Sequence, residues 1–469
     1  MYTPGTLSRA WCTKVVPALG APRMKRFGVR GSPAAAAAER RALVGSGISW
    51  ATVLCGPEGS PGGGAALPSP LVAGAIFVVA GSSSGQQGPV ASLVSTAGWA
   101  AAAERVLGEA WICTPTGIVG PGEARRRGSD PSLRSPGHPR LRRRVPAPVK
   151  TAMKDLRSWR RARSFDIDPA GPWVPDEVRF VWQRHELFHD AGLRLARALG
   201  VPSVLFVPAT AVWEADRWGS PRPGWGRWLE RVGERPALQG ADLVACGSDE
   251  VAAQVHRLGV PEGRTVRTPS GVDLDLFMQP QDREGVRREL GLGEDFVVGW
   301  VGSFRRFHAL EQAVEAAALV PGVRLLLVGD GPERPRVEQL ARDRGVPATF
   351  TGTVSHEQLP AVLSGMDVAL VLAAADQPFH YSPLKLAEYL AAGLPVVAPA
   401  VGQLRDRLTD GVDVRLVPAE DPHELAAALD ALRTDPVQRA RMAVAAREVA
   451  AREWSWDHQV RRVLDALAL

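Results

Sequence analysis

From Phe296 onward, short apolar runs alternate with helical stretches of about ten to fifteen residues. The runs Phe296–Trp300, Val323–Val328, Ala348–Phe350, Val368–Leu372, Pro395–Ala398 and Val414–Val417 are apolar throughout rather than at every second position. Both faces of such strands must be covered, and helices lying between them supply that cover in a parallel, doubly wound sheet. This pattern constrains the fold more than any other feature, because it describes a parallel sheet with helices on both faces.

An interrupted version of the same alternation comes first. A strand at Ala75–Val79, a Gly/Ser loop at Gly81–Gly85, a helical stretch through Leu107 and a strand at Ala110–Thr114 open a βαβ unit. Strands at Val178–Trp182, Pro202–Val207, Ala241–Cys246 and near Thr265–Thr268 continue it, with helices at Leu187–Leu199 and Glu250–Leu258. Two βαβ domains therefore join near Pro269–Pro280. Open parallel sheets bind ligands beyond the carboxyl ends of their strands, so two facing domains make an interdomain cleft. The expected partition is an Ala/Gly/Pro-rich extension at 1–70, a first domain at 71–278 carrying a basic insert at 121–165, a second domain at 279–452, and a terminal helix at 453–469. The extension has no sustained period and reads as disordered or as an artefact of start-site choice.

Composition narrows the function. With 45% hydrophobic and 23% charged residues, the chain is globular. Its net charge of +6 does not indicate a nucleic-acid partner. Fifty-one arginines against five lysines, with five isoleucines and no asparagine, are what a GC-rich genome produces. Residues 121–165 alone hold fourteen Arg/Lys and three Asp/Glu, leaving the remainder slightly acidic. That stretch has two readings, contact with an anionic leaflet or a plain solvated loop. Cys12, Cys55, Cys113 and Cys246 lie far apart without C-x-x-C spacing, which excludes a zinc knuckle or disulfide framework and suits a reducing cytoplasm. No apolar run reaches the roughly 18–20 residues that cross a bilayer. Seven of the fourteen tryptophans fall within 159–228; they read as core packing of a covering flap or as an acceptor surface.

The strongest local signal is Phe379–Ala398 (FHYSPLKLAEYLAAGLPVVA). Ser382 and Pro383 open a helix as cap and first-turn residue, and the helix N-terminus offers unpaired N–H groups to a phosphate. Glu388 lies about two turns along, where a carboxylate accepts hydrogen bonds from a ribose diol. Gly393-Leu-Pro395 stops the helix.

This segment resembles the donor-site segment of retaining glycosyltransferases of family four (glycosyl transferases group 1), which have the GT-B fold of two facing Rossmann-like domains. Further segments are similar in the same order. Ala241–Ser248 (ADLVACGS) resembles the last acceptor-domain strand, Thr268–Phe277 (TPSGVDLDLF) the domain junction, and Val301–His308 (VGSFRRFH) the diphosphate loop. Leu327–Pro332 (LVGDGP) resembles the family's strand–turn–helix, and Trp454-Ser-Trp456 the helix that closes back on the first domain. The resemblance implies an acceptor-side first domain and a nucleotide-sugar-binding second domain. It also implies transfer with retention of configuration, in which the leaving diphosphate oxygen helps deprotonate the acceptor and no protein base is needed.

The resemblance implies roles residue by residue. Arg305 and His308 meet the diphosphate, together with backbone N–H groups at Ser382, Pro383 and Leu384. Glu388 holds the ribose, His380 the sugar, and Lys385 serves either the phosphate or the helix. Ser303 stands where an arginine is usual, His308 where a lysine is, His380 where a first glutamate is, and Ser270 where an asparagine is. Gly81 opens the turn near the donor phosphates. His185, after a strand end, is placed to orient the acceptor, and His189 one turn on lies on a helix face. The Asp-x-Asp pairs Asp166/Asp168 and Asp273/Asp275 carry no expected metal, since the second belongs to the junction and GT-B enzymes need none. The expected enzyme has no cofactor and takes a UDP- or GDP-sugar donor with a glycan, lipid or small-molecule acceptor. It works in the cytoplasm on cell-envelope glycan, with 121–165 able to meet the inner face of the membrane. A GT-B scaffold kept for nucleotide or partner binding, and a hydrolysing nucleotide-sugar epimerase, are the alternatives. A Rossmann oxidoreductase is disfavoured, because Gly329-Asp-Gly331 lacks the third glycine of G-x-G-x-x-G.

Overall fold

The computed structural model describes residues 73–80, 91–129, 146–217, 222–374 and 384–469. Two sheets organise these residues. The first runs β1 (Ala73–Val78), β2 (Gly108–Thr114), β3 (Gly117–Val119), β4 (Val178–Arg184), β5 (Ser203–Val207), β6 (Leu243–Cys246) and β7 (Thr265–Arg267). Their spatial order is β3-β2-β1-β4-β5-β6-β7, parallel except for the β2–β3 hairpin at one edge. The second sheet holds β8 (Phe296–Val301), β9 (Val323–Val328), β10 (Ala348–Gly352), β11 (Val368–Leu370), β12 (Val396–Pro399) and β13 (Arg415–Val417). Its order β10-β9-β8-β11-β12-β13 is the doubly wound order, and every neighbouring pair is parallel.

The burial pattern explains why these segments are strands. All residues of β1, β5, β6, β11 and β12 are buried, as a sheet with helices on both faces requires. Chain order reverses beside β1 in the first sheet and beside β8 in the second. At such switch points the connections leave in opposite directions and open a crevice at the carboxyl ends. The crevice-facing segments are therefore those following β1 and β4, and those following β8 and β11.

Helix α1 (Ala91–Leu107) covers the first sheet and is helical through its alanine-rich face. Its Trp99 packs on Trp182 of β4 at 5.7 Å between centroids, and Trp182 stacks on Phe206 of β5 at 5.3 Å. The basic stretch contains two helices, α2 (Pro121–Ser129) and α3 (Ala147–Ser164), so neither end of it is the plain loop that its prolines and arginines suggested. Helix α4 (Ala191–Leu199) starts four residues later than its periodicity suggested and is stopped by Gly200 in the left-handed region. The chain ends in α5 (Pro436–Val449) and α6 (Trp456–Leu467). Trp456 of α6 lies 5.7 Å from Trp99, and a Cβ at Gly98 would meet its indole at 2.4 Å, so α6 packs on α1 through a glycine-sized notch. No helix among the described residues is long and apolar enough to cross a membrane. The 1–70 extension lies outside the described residues.

Candidate active site

At the carboxyl end of β8 the chain turns sharply, and backbone-to-backbone contact fixes the turn. Gly329 follows β9 at φ 121°, and a Cβ there would stand 1.9 Å from the carbonyl oxygen of Gly302. A Cβ at Gly331 would stand 2.7 Å from both the nitrogen and the oxygen of Phe304. Only glycine leaves room for the two loops to touch. Phe304 N–H donates to the Asp330 carbonyl (3.1 Å), and Glu333 N–H donates to the Phe304 carbonyl (3.0 Å). The Gly-Asp-Gly motif thus works as a seat for the Ser303–Phe304 loop. Phe304 is buried beneath it, Ser303 is exposed, and Arg305 is half-buried.

The helix Leu384–Ala392 packs against this turn. Tyr389 is fully buried, and its Oη accepts the Val301 N–H at 2.7 Å, tying the helix to the end of β8. Lys385 and Glu388, three residues apart, share a helix face. The Lys385 ammonium sits 4.2 Å above the Trp300 ring, and a Cβ on Gly302 would meet it at 2.9 Å. Burial pulls the Lys385 pKa down to about 7, with Glu388 opposing the fall. Glu388 is buried, and its Oε1 shares a hydrogen bond with His356 Nε2 at 3.1 Å. His356 lies in the segment after β10, with its ring 5.3 Å from Phe277 of the junction.

His308 lies beneath this turn. It closes a short 3-10 turn, is buried, and lies edge-on to Trp300 at 5.1 Å. Burial first, then the charges of Lys385 and Arg305, push its pKa down to about 2. Burial in this setting favours the neutral imidazole, whose Nδ1 has no hydrogen-bond partner among the described residues. The cations at this strand end are Lys385 and Arg305. Leu384 begins the described part of the helix; His380, Ser382 and Pro383 lie outside the described residues, as does Gly81.

On the first sheet, β4 ends in Arg184 and His185 follows, its N–H donating to the Phe206 carbonyl (2.8 Å). His185 Nε2 pairs with Glu234 Oε1 at 3.1 Å, and both side chains are buried. The same oxygen accepts the Ala211 N–H at 2.6 Å. Oε1 of Glu234 thus bridges the Ala211 N–H and the imidazole Nε2, while Nδ1 of His185 is buried without a hydrogen-bond partner among the described residues. Phe188, at φ 70°, turns the chain back, and its N–H donates to the Gly233 carbonyl (2.7 Å). That turn places His189 ahead of α4 rather than on its face. His189 is buried, and burial lowers its pKa to about 4.

Neither Glu234 nor His356 was found from sequence. Each pairs across at least thirty residues of chain, 49 for His185–Glu234 and 32 for His356–Glu388, with no local motif to announce it. The junction aspartate Asp273 is held by Arg125 of α2 at 2.6 Å, and Asp168 accepts the Ala170 N–H at 2.9 Å. Among the described residues no cluster of His, Cys, Asp or Glu is arranged to hold a metal.

Comparison with known proteins agrees with this arrangement. The model for glycosyl transferases group 1 matches residues 295–435, and the model for glycosyltransferase family 4 matches residues 109–276. Anabaena HepE in complex with UDP superposes with a TM-score of 0.58 at 17% identity, covering 84% of this chain and 99% of that one. Sucrose-phosphate synthase from Thermosynechococcus elongatus gives 0.57 at 20% identity, covering 84% and 98%. At these identities the likeness is one of fold, two facing Rossmann-like domains of the GT-B type. A D-inositol 3-phosphate glycosyltransferase of Geodermatophilus obscurus is 39% identical over 43% of this chain and 47% of its own length. One from Mycobacterium tuberculosis is 34% identical over 48% of each, so the chain spans about half the length of these two curated relatives. The corresponding protein of Stackebrandtia nassauensis is 31% identical over 57% of this chain and 67% of its own length. With two family models matching successive domains and a relative of this identity aligned over two thirds of its length, the chain belongs to glycosyltransferase family 4, the glycosyl transferases group 1 type.

Proposed function

We propose that the chain transfers a sugar from a nucleoside-diphosphate sugar to a hydroxyl acceptor with retention of configuration. The observation that carries this reading is the convergence at the end of β8. There the Lys385 ammonium, the half-buried Arg305, the open turn at Gly302–Ser303 and the carboxylate of Glu388 meet within one helix face and one loop. Cations and loop N–H groups suit a diphosphate, and a carboxylate one turn further suits a ribose diol.

The bond from the anomeric carbon to the diphosphate oxygen breaks, and the acceptor oxygen bonds to that carbon from the same face. The acceptor proton passes to the departing diphosphate oxygen. Lys385 and Arg305 hold the charge that grows on the leaving group, in a site where burial makes each contact count for more than in water. No bound metal is part of this scheme, because these two cations take the role. His185, held by Glu234 at the end of β4, orients the acceptor from the first-sheet side.

HepE is known in complex with UDP and with UDP-glucose, which supports a uridine donor over a guanosine one. The relatives' name, D-inositol 3-phosphate glycosyltransferase, supports a small phosphorylated polyol acceptor over a glycan or lipid. The setting we propose is the cytoplasm. The test is calorimetric titration with UDP and GDP, followed by a sugar-nucleotide screen with mass detection. Binding of UDP with sugar transfer to inositol phosphate is expected; binding of neither nucleotide at millimolar concentration refutes the reading. Ser303, His308 and His380, standing where the family has Arg, Lys and Glu, favour one alternative, a scaffold that binds nucleotide without transfer, and slow release of free sugar from the donor rules that out.

A further inference from the structure

Helix α3 carries an outward face that the sequence pattern concealed. Its inner side is fixed to the domain: Asp155 is buried and takes a bidentate pair of bonds from Arg222, both at 2.9 Å. Trp225 Nε1 adds a third bond to the same carboxylate at 3.1 Å. Ala162, two turns on from Asp155, is buried on that side. With this side anchored, the opposite side cannot turn inward.

That opposite side is apolar at helical spacing. Val149, Met153 and Leu156 fall at i, i+4 and i+7, and each is exposed by 46–47%. Trp159 follows at 39%, with Arg163 stacked over it at 4.9 Å. Trp228, three residues beyond the Trp225 that holds Asp155, is exposed by 56%. Basic side chains surround the stripe: Lys150, Lys154, Arg157, Arg160, Arg161 and Arg163 are all exposed, and the one acid of the helix is consumed by Arg222.

A solvated loop has no use for an apolar stripe, and a nucleic-acid backbone has no place to receive one. An apolar stripe bordered by lysine and arginine matches the boundary between acyl chains and anionic headgroups. We propose that α3 lies on an anionic bilayer surface, with Val149, Met153 and Leu156 entering the headgroup–acyl boundary and the basic residues over the lipid phosphates. This goes beyond the transfer reaction and stands or falls separately from it.

The full chain is tested by flotation with phosphatidylglycerol/phosphatidylcholine vesicles and with phosphatidylcholine vesicles, at low and at physiological salt. Binding to the anionic vesicles alone, weakening with salt, is expected. The pair Lys154→Ala/Arg157→Ala should weaken it about thirtyfold, at roughly 1 kcal/mol per basic residue. The pair Met153→Ser/Leu156→Ser should weaken it at least about tenfold at both salt concentrations, because apolar insertion is not screened. These side chains are exposed, so the melting temperature of each variant should stay with that of the wild type. Equal binding to both vesicle types, binding to neither, or full binding by the Met153/Leu156 variant overturns the proposal. So does a wild-type dimer in light scattering that the Met153/Leu156 variant dissolves, since the face then belongs to a second copy of the chain.

Discussion

At the carboxyl end of β8, backbone holds backbone: the glycines at 329 and 331 let one loop sit on another, and Tyr389 pins the helix Leu384–Ala392 to the strand. At the carboxyl end of β4, a side chain does the holding. Glu234 arrives from a distant segment and gives one oxygen to both the Ala211 N–H and the His185 imidazole. The first arrangement concentrates positive charge, with Lys385 beside Gly302 and Arg305 on the loop. The second pairs the His185 imidazole with a buried carboxylate, and the guanidinium of Arg184, the last residue of β4, lies over the Phe206 ring at 5.9 Å. A site that must stabilise a departing diphosphate needs charge held rigidly; a site that orients a hydroxyl needs direction more than charge. On the proposed reaction the two strand ends would divide the work as leaving-group side and acceptor side.

The largest expected effect tests the charge. Lys385→Met keeps the stem over Trp300 and removes the ammonium, so kcat should fall about 10²–10³-fold, as for loss of one leaving-group stabiliser. Thermal stability should hold or rise, because a partly buried cation is replaced by an apolar group. Unchanged kcat would remove the leaving-group side of the comparison. Next is Glu388→Ala, which deletes a charge-assisted acceptor for the ribose. Nucleotide affinity should drop by about 1.5–3 kcal/mol, of the order of ten- to a hundredfold in Kd by calorimetry. Unchanged affinity would show that Glu388 serves only to hold His356.

A smaller effect follows pH. Lys385 titrates near 7 in the folded protein, far below its ordinary value of 10.5. Between those values the unfolded chain binds more protons than the native one, so this group makes stability rise with pH across about 7 to 10. Nucleotide binding favours the protonated ammonium, and a terminal phosphate with a pKa of about 6 is already ionised there. Affinity should therefore fall from pH 7 to 9, by at most about tenfold per unit. The two trends oppose each other, and Lys385→Met should flatten both. His308→Gln should leave both slopes in place, because burial has already made His308 neutral across this range.

Much of this was legible in the sequence, for definable reasons. Strands buried on both faces read as unbroken apolar runs, so β8 to β13 appear within a few residues of where they lie. The Gly-Asp-Gly turn and the helix Leu384–Ala392 are local motifs. What escaped depends on distance or burial. Nothing near Glu234 or His356 marks their partners, which the fold alone brings together. The charge of His308 is opposed by burial, Lys385 and Arg305, and of these only Arg305 lies near it in sequence. Helix α3 was hidden by proline and arginine density, although Val149, Met153 and Leu156 already had helical spacing. His189 was assigned to a helix face because its periodicity continues into α4, whereas Phe188 breaks the backbone at φ 70° just before it.

The smallest expected effect sharpens the acceptor side. Glu234→Gln keeps the shape and the acceptor oxygen, so Ala211 N–H and His185 Nε2 still have their partner. If direction is what Glu234 supplies, kcat/KM for the acceptor should stay within about 1 kcal/mol of wild type, roughly fivefold. Glu234→Ala strands both donors and lets the imidazole turn, so it should cost more than the glutamine variant while nucleotide affinity stays unchanged. A glutamine variant as damaged as the alanine one would mean that the carboxylate acts through its charge, and the two strand ends would then differ less than their hydrogen bonds suggest. Loss of nucleotide affinity in either variant would join Glu234 to the leaving-group side and dissolve the division altogether.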